Sequence, residues 1–119
     1  KPINSLEKIQ DKAMKWRKYV NFQLAGKYKT FHNMLDCLLY LKAKNFSLLR
    51  RWRLKQEKKL FLKSKNKKNL KIMNKNEVLN FMMTYQRITE QMFKTAKKFA
   101  SIVMTLNSQH QIINIKYKK

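Results

Sequence analysis

Cysteine, glycine and acidic residues are scarce in this chain, and each scarcity removes a class of function. Cys37 is the single cysteine, so an internal disulfide framework is excluded and a reducing compartment suits the chain. It lies in the apolar run Cys37-Leu38-Leu39-Tyr40-Leu41, which makes a buried core thiol the expectation. Gly26 is the single glycine. A phosphate loop of the GxxxxGK(S/T) type needs more than that for several backbone N–H groups to cradle phosphate. Tyr28 also follows Gly26-Lys27 where serine or threonine would ligate magnesium, so Gly26 reads as a helix end. His32, Cys37 and His110 are scattered without the paired spacing of a zinc site, and no Ser-His-Asp arrangement follows from spacing. No stretch reaches the apolar length of a membrane span, and no signal peptide is visible. A cytoplasmic location is therefore expected. The chain begins Lys1-Pro2 without methionine, which reads as a processed or trimmed chain, or as a piece of something longer.

What remains is apolar, lysine-rich and short. A length of 119 residues bounds one ordinary domain with a modest core. Hydrophobic content of 44% with 12% aromatics is globular rather than disordered. Lysine and arginine number 29 against 6 acidic residues, a net charge of +23. Such a charge favours nucleic acid, anionic membrane or another polyanion, and opposes compaction by self-repulsion. Lysine far exceeds arginine, and asparagine and isoleucine are abundant with it, which AT-rich coding would produce on any fold. Both origins of the charge stay open at this point.

Asn4 with Glu7 forms a capping-box pattern, and Leu6, Ile9, Ala13, Trp16, Val20 and Leu24 then keep helical spacing up to Gly26. A short helix carrying Tyr28, Phe31 and Leu35 follows. Cys37–Leu41 has the length of a buried strand. Phe46–Leu60 has helix-forming composition and an apolar stripe at Phe46, Leu49, Trp52 and Leu60. The span 63–72 reads as a basic flexible loop. Asn74 with Glu77 makes a second capping box, and Val78, Phe81, Met82, Tyr85, Ile88 and Met92 define one long amphipathic helix. Lys97-Lys98 breaks that pattern. Ala100–Leu106 reads as a strand, Asn107-Ser108 as a turn, and Ile113, Ile115 and Tyr117 as a last short strand. Strands separated by helices argue for βαβ construction and a parallel sheet.

Arg53, Gln56 and Glu57 form a polar cluster at i, i+3, i+4 beside the Trp52 indole. An arginine fork holds phosphate or carboxylate oxygens, and glutamine and glutamate on the same face orient it or a sugar-like hydroxyl. Spacing alone favours an ordinary intrahelical Arg53–Glu57 pair, worth a few tenths of a kcal/mol. Arg87, in Tyr85-Gln86-Arg87-Ile88-Thr89, is a second arginine set among lysines. Trp16, Trp52, Phe81 and Tyr85 lie on helical stripes, where core packing is the default.

Several segments together resemble one family. Trp52-Arg53-Leu54-Lys55-Gln56-Glu57 looks like the WRLxQE segment of the D-glycerate 3-kinase family of P-loop kinases. Pro2–Glu7 resembles the stretch after the central strand in those proteins, and Trp16–Asn21 the following helix. Met73–Val78, Phe81 and Tyr85–Thr89 resemble their MxxxEVxxFxxxYERxT helix, and Ala100–Val103 through Ile112 their terminal strand and turn. Gln86 stands where the family often has glutamate, and Asn107 where aspartate is common.

The resemblance implies an α/β fold, the C-terminal part of a P-loop NTPase-like three-layer sandwich, helix-rich with two or three short strands. Residues 1–119 would then be one partial domain. It implies Arg53 as the phosphate clamp, with Gln56, Glu57 and Arg87 on the substrate side. ATP and magnesium would serve only an intact parent, and this chain alone is not expected to bind them or to be active. The partners implied are an upstream phosphate-loop half of the same protein and a small hydroxy-acid substrate. Two other readings start from the charge: a non-enzymatic RNA- or ribosome-associated protein, with Lys63, Lys65, Lys67, Lys68, Lys71 and the Lys116–Lys119 tail on phosphates, and a basic helical module at anionic membranes.

Overall fold

The computed structural model describes residues 1–64 and 71–118. Its elements are α1 (Ser5–Gln10), α2 (Lys15–Ala25), α3 (Lys27–His32), β1 (Leu39–Lys42), α4 (Phe46–Lys63), α5 (Lys75–Met83), α6 (Gln86–Phe99), β2 (Ile102–Leu106) and β3 (Ile112–Tyr117). The fold is α/β, helix-rich, with a sheet of order β1-β2-β3. The basic loop expected over 63–72 falls mainly on residues outside the description: Lys63 ends α4, Lys71 resumes the chain, and Lys65, Lys67 and Lys68 lie between.

Asparagines set three helix starts, each accepting a first-turn amide that would otherwise be orphaned. Asn4 Oδ1 accepts from the Glu7 N–H at 3.0 Å, Asn45 Oδ1 from Leu48 at 2.9 Å and Asn74 Oδ1 from Glu77 at 3.0 Å. Only the last is a complete capping box, with Glu77 Oε2 accepting from the Asn74 N–H at 2.8 Å. Glu7 turns its carboxylate elsewhere.

Two helices expected to be continuous are each split. The run from Leu6 to Leu24 breaks after Gln10 because Asp11 caps the next helix instead of continuing the first. Its Oδ1 accepts from the Trp16 N–H at 3.0 Å and its Oδ2 from the Arg17 N–H at 3.2 Å, and Met14 turns the chain at φ 58°. The run from Val78 to Met92 breaks at Thr84. There the Thr84 N–H and hydroxyl both bond the Phe81 carbonyl, at 3.1 and 2.7 Å, and Asn4 Nδ2 bonds the Met83 carbonyl at 3.0 Å. Past this break α6 runs on through Lys97-Lys98 to Phe99. The lysines do not end the helix; they sit in its last turn, where cations suit the dipole.

The sheet is mixed rather than parallel throughout. β1 and β2 are parallel, with Leu39 opposite Ile102 and Lys42 opposite Thr105. β3 returns antiparallel through a short turn, Ile102 facing Tyr117 and Met104 facing Ile115. Asn107 closes that turn by accepting from the Gln109 and Gln111 N–H groups at 2.9 and 3.0 Å, a local Asx device that favours a hairpin over a crossover. The first strand begins only at Leu39, so Cys37 is exposed and not the buried thiol expected.

The core lies where α4, α5 and α6 meet. Phe46, Val78 and Met82 are buried, with Leu49, Leu54, Met73, Tyr85 and Phe93 packed on them. Full burial of one such side chain contributes about 1.5–3 kcal/mol. Tyr85 makes edge contacts with Phe46 and Phe81. The expectation of core packing fails for Trp16 and Phe81, both exposed; Trp52 is half-buried and does other work.

Candidate functional site

Helix α4 carries the Trp52/Arg53/Gln56/Glu57 group, and its register turns Trp52, Arg53 and Gln56 toward one wall of a cleft of about 600 Å³, with Glu57 buried behind them. The intrahelical pair allowed by spacing is present: Arg53 Nη2 meets Glu57 Oε1 at 2.5 Å. It is more than a surface pair, because Glu57 is only 6% exposed and its Oε2 accepts from the Met73 N–H at 3.3 Å. Arg53 Nη1 also donates to Gln56 Oε1 at 3.1 Å. The guanidinium is thus held from two sides, with its carbon 6.0 Å from the centre of the Phe81 ring. Among the described residues, its other N–H groups and the Gln56 amide N–H groups have no acceptor.

The opposite wall comes from the β2–β3 turn and from α5–α6. Trp52 Nε1–H donates to the Ser108 carbonyl at 3.0 Å, and its indole stacks on the His110 imidazole at 4.0 Å. His110 holds φ 68° to do so, a left-handed conformation that histidine adopts more readily than most residues. Tyr85 lines the cleft with Lys55 and Lys59. Burial pushes the Tyr85 hydroxyl above the usual phenol value, with the Arg53 charge pulling the other way; it remains an O–H donor at neutral pH.

Arg87 is not brought to this cleft. It forks onto Glu7, Nε to Oε1 at 2.8 Å and Nη2 to Oε2 at 2.6 Å, and Nη2 also reaches the Lys1 carbonyl at 2.7 Å. Beside it, Arg17 donates from Nε to Asp11 Oδ2 at 2.7 Å and from Nη2 to the Asp11 carbonyl at 2.5 Å. Its Nη1 lies 3.8 Å from Glu7. Both carboxylates are buried. The Arg87 hydrogen bond holds Glu7 below the usual carboxylate range, against desolvation, helped by the Ile3 N–H; Arg17 does the same for Asp11. Spacing gave little sign of this clamp, because Arg87 lies 80 positions from Glu7. The one signal was that Glu7 and Asp11 sit at i, i+4 with Arg17 six residues on.

A second cleft, of about 750 Å³, opens at the carboxyl ends of parallel β1 and β2, where Lys42, Lys44 and Arg51 line it with no carboxylate among the lining residues. Ligands in open α/β sheets bind outside those strand ends. Gly26, by contrast, separates α2 from α3 and follows no strand. Among the described residues no group of three or more acidic, histidine or cysteine side chains is placed to hold a metal ion. No helix among the described residues is long and apolar enough to cross a membrane.

No protein-family model matches the chain, and no curated protein does. Among solved structures, D-glycerate 3-kinase from Cryptococcus neoformans var. grubii serotype A is similar, with a TM-score of 0.61 and 23% identity. The match covers 77% of this chain and 32% of that one, so the chain spans about a third of the length of the enzyme it resembles. The likeness shows a shared α/β fold over that part of the enzyme.

Proposed function

We propose that the chain is the C-terminal segment of an ATP-dependent small-molecule kinase resembling D-glycerate 3-kinase. In this reading it supplies the lid or substrate side, and an upstream half of the same protein supplies the phosphate loop and the magnesium ligands. The observation that carries it is Arg53: a guanidinium oriented by Gln56 and Glu57 at a cleft, with N–H donors left over, on a fold shared with such a kinase. A structural ion pair would spend those donors.

Phosphoryl transfer spreads negative charge over the equatorial oxygens of the moving group, and catalysis is mostly positioning and electrostatics. Arg53 holds one of those oxygens, pre-oriented so that no reorganisation is needed when the charge develops. Glu57 fixes the fork from beneath and Gln56 offers its amide N–H groups to a hydroxyl or carboxylate of a small hydroxy acid. Arg87, expected on the substrate side, acts instead through the fold by tying α6 to Glu7.

The test uses the polypeptide with the residues its gene places upstream of Lys1, assayed for phosphate transfer from ATP to D-glycerate. Arg53→Ala should lower kcat/KM by about 100-fold, with Arg53→Lys recovering part of it because the charge returns without the fork. Full kcat/KM in Arg53→Ala would end the assignment.

A further inference from the structure

Among the described residues, helices cover the sheet on one face only. Tyr40, Val103 and Lys116 lie side by side in register, and this face meets the end of α6, where Lys97 and Ala100 share a small cleft with Val103 and Thr105. Tyr40 is buried there. The opposite face reads Leu39, Ile102 and Tyr117 in one row and Leu41, Met104 and Ile115 in the next. All six are apolar, and Leu39, Leu41, Ile115 and Tyr117 are exposed, Tyr117 by 71%. β1 also pairs on one side only. Parallel strands are normally covered on both faces, and an exposed apolar edge strand is a pairing site.

We propose that this bare face and the free edge of β1 are the seat of the upstream half of the same protein, which adds a strand beside β1 and lays an apolar helical layer on the face. The proposal rests on the kinase-segment reading and names the surface that reading requires. Three observations select this occupant. The radius of gyration is 17.1 Å, against roughly 13–14 Å for a closed domain of this length, so the chain is less compact than a domain closed on its own core. The chain matches 32% of the kinase it resembles, which leaves ample polypeptide to supply strands and helices. A net charge of +23 makes a second copy a poor cover through self-repulsion. Lys42 and Lys44, at the end of β1, further favour an occupant with acidic residues there.

Amide exchange at Leu39, Leu41 and Ile115 in the gene-length polypeptide, compared with the 119-residue chain, tests this. Exchange slowed on the order of 100-fold in the longer polypeptide is expected, with Leu41→Lys abolishing the slowing while leaving the shorter chain's melting unchanged. Equal exchange in both would overturn the proposal, as would a gene with no residues upstream of Lys1. Sedimentation of the 119-residue chain as a dimer with the face protected would overturn it in favour of a second copy. Protection without phosphate transfer from ATP to glycerate would sink the kinase reading alone and leave the docking surface standing.

Discussion

At the junction of α1 and α6, Glu7 and Asp11 are closed over by Arg17 and Arg87; on α4, Arg53 meets Glu57 and keeps donors to spare. The residue types are the same and the roles differ. In the first place the carboxylates accept backbone N–H groups as well as arginine, from Ile3 at 3.0 Å and from Trp16 and Arg17, so the cluster holds chain segments together. In the second the carboxylate takes one backbone N–H and otherwise orients an arginine at the wall of a cleft. What separates clamp from candidate site is where the unused donors face, a property that no residue list contains.

The sharpest way to break the comparison is to remove Glu7. Glu7→Gln leaves the Arg87 fork with one neutral oxygen and weakens the turn at Ile3. Loss of one partner from a buried pair costs about 3–5 kcal/mol; Arg87 keeps some access to water, which places the expected loss near the lower end. Urea unfolding measures it. A loss below that of Glu57→Ala would reverse the assignment of clamp and site.

Acid tests the same clamp without mutation. The folded-state pKa values of Glu7 and Asp11 are lowered, so the unfolded chain takes up protons first as pH falls. Their contribution to stability is complete above about pH 4–5, the unfolded carboxylate range, and is lost as pH falls through the lowered folded values. The urea midpoint should therefore drop steeply below about pH 4, and Glu7→Gln with Asp11→Asn should flatten that drop. An unchanged slope in the double variant would mean other carboxylates carry the acid response.

At the α4 site the expected losses are smaller. Glu57→Ala frees Arg53 and orphans the Met73 N–H, a cost of about 1–3 kcal/mol. A double-mutant cycle between Arg53 and Glu57 should give a coupling of roughly 0.5 kcal/mol, since the pair is intrahelical and Arg53 retains some exposure. A coupling as large as that between Glu7 and Arg87 would make Arg53 a structural residue and weaken its proposed role.

The parts of the molecule legible in its sequence are those decided locally. The capping asparagines Asn4 and Asn74, the end of α2 at Gly26, the α4 cluster and the strands after Leu38 and Ser101 all follow from neighbours within a few positions. The helix breaks at Asp11 and Thr84 were hidden because hydrophobic spacing runs straight through both. What ends each helix is a side chain choosing a backbone partner, and Asn4 reaching the Met83 carbonyl across the fold completes the second break. The pairing of Arg87 was hidden for the same reason: its partner, Glu7, lies at the other end of the chain. Cys37 looked buried because an apolar run suggests a covered strand, whereas β1 is an edge and begins after it.

The smallest stability loss from a single substitution is expected from Trp52→Phe, and it separates two jobs of one side chain. The indole N–H bond to Ser108 ties the β2–β3 turn to α4, and its face stacks on His110. Phenylalanine removes the hydrogen bond and preserves an aromatic surface for the imidazole, so stability should fall by about 1 kcal/mol. Amide exchange in the turn 107–111 should accelerate while that in α5 stays fixed, because the core residues Val78 and Met82 are untouched. His110→Ala should speed exchange in the same turn without loss of the Ser108 bond. If Trp52→Phe instead loosened α5, the indole would be a core residue that happens to reach the surface, and the cleft wall it forms beside Arg53 would owe its shape to packing rather than to the turn.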